Sequence, residues 1–116
     1  MKRTHIGKHG EDRVKRLLIK HGYKLLCSNY RGLGFEVDHF ATKGGALYVV
    51  EVKVRCGFTG HAWELEALNL EKKQLRMRRG ARSFLKTKYG QMRFKRVEFM
   101  LFILNEMGQT WRMSLN

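Results

Sequence analysis

The sequence predicts a single α/β domain with the order α-β-β-β-α-β, a mixed central sheet flanked by helices. Three observations predict it. Apolar residues recur at helical spacing in two separated stretches, around positions 14–18 and 77–85. Between them lie three runs rich in β-branched and aromatic residues, punctuated by glycine turns. After the second helical stretch, Phe99 to Leu104 is apolar throughout, as in a strand buried on both faces. The 116 residues contain no proline, repeat or low-complexity segment, so one domain spanning 1–116 is expected.

The first helix is expected over His5–His21, with Thr4 as N-cap, Gly22 as its stop, and Val14, Leu17 and Leu18 as its apolar stripe. Tyr23–Asn29 reads as a strand, Arg31–Gly34 as a glycine-rich turn and Phe35–Thr42 as a second strand. Lys43-Gly44-Gly45-Ala46 is a hairpin signal, because two consecutive glycines accept the positive φ angles of a tight turn. Leu47–Val54 is the third strand and Cys56–His61 a loop. The second helix is expected over Leu70–Lys88, with Met77, Ala81, Phe84 and Leu85 on its apolar side. Arg93–Leu104 is the fourth core strand, and Thr110–Leu115 a short edge strand.

Composition narrows the function classes. An apolar content of 43% argues against disorder. Two cysteines, Cys27 and Cys56, are too few for a disulfide scaffold, and they and the five histidines lack zinc-site spacing. The basic start is not followed by an apolar secretory segment, and no run is long enough to span a membrane. A cytoplasmic protein with no membrane partner is the expectation. Against 10 Asp and Glu stand 24 Lys and Arg, a formal charge of +14, with a pI near 10.3. Such a field attracts polyanions, so nucleic acid is the expected partner, DNA favoured. The apolar strand Val97–Leu104 leaves room for a homodimer interface.

Four of the acids can be placed by geometry. If Gly44 and Gly45 form the hairpin loop, Lys43 sits opposite Ala46. Extending that register puts Asp38 opposite Glu51 and Glu36 opposite Lys53, all four on one face. Val50, Val52 and Val54 then point to the other. Two carboxylates facing each other repel, and a divalent cation between them would offset the cost. The competing reading is a solvated face with a Glu36–Lys53 ion pair. Glu11 favours the cation: three and seven residues before Val14 and Leu18, it shares their buried stripe, where an unpaired carboxylate is costly. Gly7 and Gly10 flank it and permit a close approach.

These residues carry a resemblance. Glu11 on the first helix, Asp38 on one strand and Glu51-Val52-Lys53 on the next resemble the PD-(D/E)xK nuclease superfamily, and Gly7-x-x-Gly10-Glu11, Gly22-Tyr23, Asn29-Tyr30-Arg31, Glu36-Val37-Asp38 and Val50-Glu51-Val52-Lys53-x-Arg55 resemble, in order and spacing, the motifs of one family within it. More closely, the chain resembles the small bacterial YraN-like proteins, relatives of archaeal Holliday junction resolvases. Lys73, Ala81 and Arg93-Phe94 extend the match, while His39 and Lys95 depart from it, His39 standing where an apolar residue is usual.

The resemblance implies a restriction-endonuclease-like core and metal-dependent phosphodiester hydrolysis, on branched or structured DNA. Asp38, Glu51 and the Val52 carbonyl would ligate Mg²⁺ or Mn²⁺. Lys53 would orient water or stabilise transition-state charge, Glu11 would hold a second metal or a metal-bound water, and Glu36 would orient Lys53 or the metal waters. Arg31 and Arg55 fall within the matching motifs. Together with Lys72, Lys73 and Arg76 of the basic helix run they are the candidate nucleic-acid contacts. Tyr30, Phe58 and Trp63 could stack on bases or cover the core edge, and His61 could reach a phosphate. The alternative is a nucleic-acid-binding module that keeps this fold without cutting. A third reading is a basic adaptor for protein or anionic membrane.

Overall fold

A computed structural model describes residues 3–60 and 70–115. Along the chain run α1 (Arg3–Lys20), β1 (Lys24–Gly32), β2 (Phe35–Lys43), β3 (Ala46–Val54), α2 (Leu70–Leu85), a 3-10 turn (Lys88–Met92), β4 (Arg96–Leu104) and β5 (Thr110–Ser114). The five strands lie in the order β1-β2-β3-β4-β5. The sheet is mixed as expected: β3 and β4 are parallel, the other pairs antiparallel.

The helices cover opposite faces of this sheet. On the α1 side, Val14 and Leu18 pack on Ala41, Val50, Val52, Met100, Phe102 and Leu104. On the α2 side, Met77, Ala81 and Phe84 pack on Val37, Phe40, Leu47, Val49, Leu101 and Ile103. Each fully buried Leu or Phe here contributes roughly 1.5–3 kcal/mol. Phe40, Phe84 and Tyr89 form a continuous stack, with ring centroids 3.9 and 4.7 Å apart. Met100 to Leu104 are all buried, which accounts for the apolar content of β4 within one protomer. No helix among the described residues is long and apolar enough to cross a membrane.

Several local expectations shift. Helix α1 begins at Arg3, which puts Thr4 inside the first turn rather than at the cap. It ends as anticipated at Gly22, with φ +87° and a bond from the Tyr23 amide back to the Leu18 carbonyl. The first hairpin is tighter than expected: its ladder runs to Gly32–Phe35, so Arg31 lies in a strand. Helix α2 stops at Leu85, and Leu85 is exposed. Thr87 diverts the chain there: its hydroxyl caps the 3-10 turn by accepting from the Tyr89 amide.

One irregularity matters for the site. Along β2, His39 points toward α1 and Phe40 toward α2, so strict alternation would send Val37 toward α1. Val37 instead packs on α2, with its methyl where a Cβ on Gly80 would sit. Opposite this slip in β1 is Asn29, with φ +53°. The strand pair therefore rotates at Asn29 and Asp38, and Asp38 occupies the bend.

Candidate metal centre

The second hairpin supplies the first two acids. β2 and β3 pair from Lys43–Ala46 to His39–Val50, the register expected from the two-glycine loop. Past that point the ladder stops. Instead of a backbone carbonyl, the Asp38 carboxylate accepts the Val52 amide, Oδ2 to N at 2.7 Å. Asp38 is thus locked to the backbone of the strand that carries Glu51 and Lys53.

Glu36, Asp38, Glu51 and Lys53 line one pocket of about 200 Å³, together with Val52, Lys73, Arg76 and Met77. The common face expected for the first four is realised. The Glu36–Lys53 ion pair of the competing reading is not formed. Lys53 Nζ lies 3.3 Å from Glu51 Oε1, and Glu36 pairs with Arg31 at 3.1 Å on the exposed rim. The strands have parted by this point, so Glu36 and Lys53 no longer face each other across a ladder.

Glu11 arrives from α1. Gly10 lets the helix approach β3 closely: a Cβ there would lie 2.7 Å from Val54 Cγ2. Glu11 is half-buried and lines a neighbouring pocket of about 480 Å³ with Ser28, Asn29, Arg31, Glu36 and His39. Its carboxyl disfavours the charged form of Asp38. Glu36 lines both pockets.

The electrostatics are those of a crowded acidic site. Burial, then the Glu11 hydrogen bond, then the charges of Glu11 and Glu51 push the Asp38 carboxyl up to about 8, against the pull of the Val52 amide. Glu51 Oε2 is buried with no hydrogen-bond partner among the described residues. A buried carboxylate oxygen without a donor is costly. A hard cation would supply its missing partner and relieve the repulsion among the three acids, so these residues fit a divalent ion. Among the described residues no three His, Cys, Asp or Glu side chains lie together within reach of one metal ion.

The basic candidates divide. Arg76 is exposed and lines the acidic pocket, and Lys72 is exposed outside it. Lys73, a candidate nucleic-acid contact of the basic helix run, is only 7% exposed. It continues the apolar stripe of α2 one turn before Met77 and lines the pocket wall. Arg55 is half-buried beyond β3, where its guanidinium donates to the Val54 carbonyl at 3.2 Å. Neither described aromatic is free to stack on bases: Phe58 is buried against Trp111, and the Tyr30 hydroxyl bonds Ser83 with its ring against Phe40 and Phe84. His61 and Trp63 lie outside the described residues.

The sequence reading missed the burial of Lys73. Lys73 was legible as the fourth residue before Met77 on a helical stripe. His39 lies on the opposite face from Asp38, as parity required, but is buried and bonded at both ring nitrogens. Its signal was a polar residue at an apolar position.

The model of the uncharacterised protein family UPF0102 matches residues 10–101. A UPF0102 protein of Dictyoglomus turgidum is 36% identical over 111 residues, covering 94% of this chain and 91% of that protein. One from Dictyoglomus thermophilum is 33% identical over 118 residues, covering 100% and 98%. One from Caldicellulosiruptor saccharolyticus is 33% identical over 109 residues, covering 91% of each chain.

Proposed function

The chain belongs to the UPF0102 (YraN) family, and from that premise we propose that it is a divalent-metal-dependent endonuclease acting on structured or branched DNA. The observation that carries this reading is the donorless Glu51 oxygen, buried beside an Asp38 carboxyl pushed up to about 8. A buried carboxylate oxygen without a donor is costly, and a bound cation would complete it.

Asp38, Glu51, the Val52 carbonyl and Glu11 would hold Mg²⁺ or Mn²⁺, which when bound polarises a phosphate and yields hydroxide from water near neutral pH. The Val52 amide fixes the Asp38 carboxylate, so one ligand is oriented before anything binds. Lys53, tethered to Glu51 at 3.3 Å, presents its ammonium to the same pocket. There it stabilises negative charge on the phosphate oxygens as the nucleophile adds and the leaving oxygen departs. Arg76 at the rim and Lys72 beside it neutralise flanking phosphates, which positions the backbone without reading sequence. A formal charge of +14 draws the substrate in and makes binding strongly salt-dependent.

The test is a cleavage screen over duplex, nicked, flap, junction and single-stranded DNA with Mg²⁺ and Mn²⁺. Asp38→Ala and Glu51→Ala should abolish cutting and leave DNA binding in place. Binding without turnover under either ion would convert the reading to a non-cutting nucleic-acid module. Equal cleavage by wild type and both variants would remove this pocket from the chemistry.

A further inference from the structure

We propose that His39 is a positioning residue for the metal centre: by holding the Glu11 carbonyl it sets α1 where the Glu11 carboxyl meets Asp38. The inference rests on the metal-site reading above. His39 follows Asp38 on β2 and is 2% exposed on the opposite face of the sheet. Its Nε2 lies 2.8 Å from the Glu11 carbonyl oxygen, and its Nδ1 lies 2.8 Å from Ser28 Oγ. A carbonyl only accepts, so Nε2 carries the proton and donates; Nδ1 of the neutral ring then accepts from the Ser28 hydroxyl. Each ring nitrogen is satisfied, and the ring cannot flip without losing both bonds.

Two consecutive β2 residues thus fasten two different elements. Asp38 takes the Val52 amide of β3, and His39 gives its N–H to α1. Glu11 is also the residue after Gly10, whose backbone rests on the Val52 and Val54 side chains. A packing contact at one residue and a directional bond at the next fix both the height and the rotation of α1 where its carboxylate emerges. A leucine would fill the volume at position 39 but supply no donor. The Glu11 carbonyl lies within a helix and keeps its intrahelical bond, so losing the imidazole costs orientation more than folding.

The experiment titrates the full chain with Mn²⁺ by calorimetry, comparing wild type, His39→Leu, His39→Gln and Ser28→Ala, with circular dichroism for folding. Partners that orient ligands from behind are typically worth 10–100-fold in metal affinity, so His39→Leu should weaken Mn²⁺ binding by about that factor. His39→Gln, which keeps an N–H at similar reach, should recover most of it. Ser28→Ala, which releases the ring, should weaken binding less than His39→Leu. Wild-type affinity in a folded His39→Leu overturns the proposal, as does equal weakening by Leu and Gln, which assigns the loss to packing. Should His39→Leu fail to fold, wild-type affinity in Ser28→Ala together with unrescued weakness in His39→Gln overturns it. A wild type that takes up no Mn²⁺ overturns the metal-site reading itself, a separate result.

Discussion

Replacing Asp38 with Asn isolates the electrostatics of the pocket without any metal. Burial and the carboxyls of Glu11 and Glu51 hold Asp38 protonated up to about 8, while its ordinary value is 3.8. Between those values the folded protein binds one more proton than the unfolded chain, so stability falls as pH rises through the window. One group contributes at most about 1.4 kcal/mol per pH unit, a ceiling of about 4 kcal/mol between pH 5 and 8. Asp38 is half-buried and water reaches the pocket, so roughly half of that, about 2 kcal/mol, is expected. Asn has the same shape, keeps an acceptor for the Val52 amide and does not ionise. In a domain this size about 2 kcal/mol corresponds to roughly 10 °C. Melting curves in EDTA should show the two proteins close together at pH 5 and Asp38→Asn roughly 10 °C above wild type at pH 8. Titrating groups remote from Asp38 act on both proteins and cancel in the difference. Parallel curves across this range would refute the reasoning.

Three further predictions follow from single contacts. Gly10→Ala places a Cβ 2.7 Å from Val54 Cγ2, so α1 must lift from β3. Denaturant unfolding should show a loss of about 1–3 kcal/mol, despite alanine's better helix propensity. Lys53→Met keeps the stem but removes the ammonium 3.3 Å from Glu51; single-turnover cleavage should fall on the order of 10²–10³-fold with Mn²⁺ uptake retained. Arg76→Ala removes one exposed cation at the rim, so the slope of log K against log salt should drop by about 0.7–0.9, equally for unrelated DNA sequences.

How far the sequence reached depended on whether a feature was local. The two glycines after Lys43 fixed the β2–β3 register, because tight-turn geometry leaves few alternatives, and with it the shared face of Glu36, Asp38, Glu51 and Lys53. The stripe of Val14 and Leu18 carried Glu11 toward the sheet for the same reason. The parting of the strands beyond His39 and Val50 was hidden, since it depends on the Asp38 side chain replacing a backbone acceptor. The bend that enables it needs Asn29 in a left-handed conformation in the neighbouring strand, which no pattern within β2 announces. Lys73 was misplaced by composition, as part of a basic run, when tertiary packing buries it, whereas Phe58 follows the core-edge alternative. The end of α2 was lost to Thr87, whose capping bond outweighs continued helix propensity.

The central claim is that Asp38 and Glu51, joined by Glu11, bind a divalent ion. Anomalous diffraction from crystals of the full chain soaked in Mn²⁺ tests it most directly. A peak within coordination distance of both the Asp38 and Glu51 carboxylates, lost in Asp38→Ala crystals, is the predicted result. An empty pocket at saturating Mn²⁺, or a peak that survives Asp38→Ala, would contradict it.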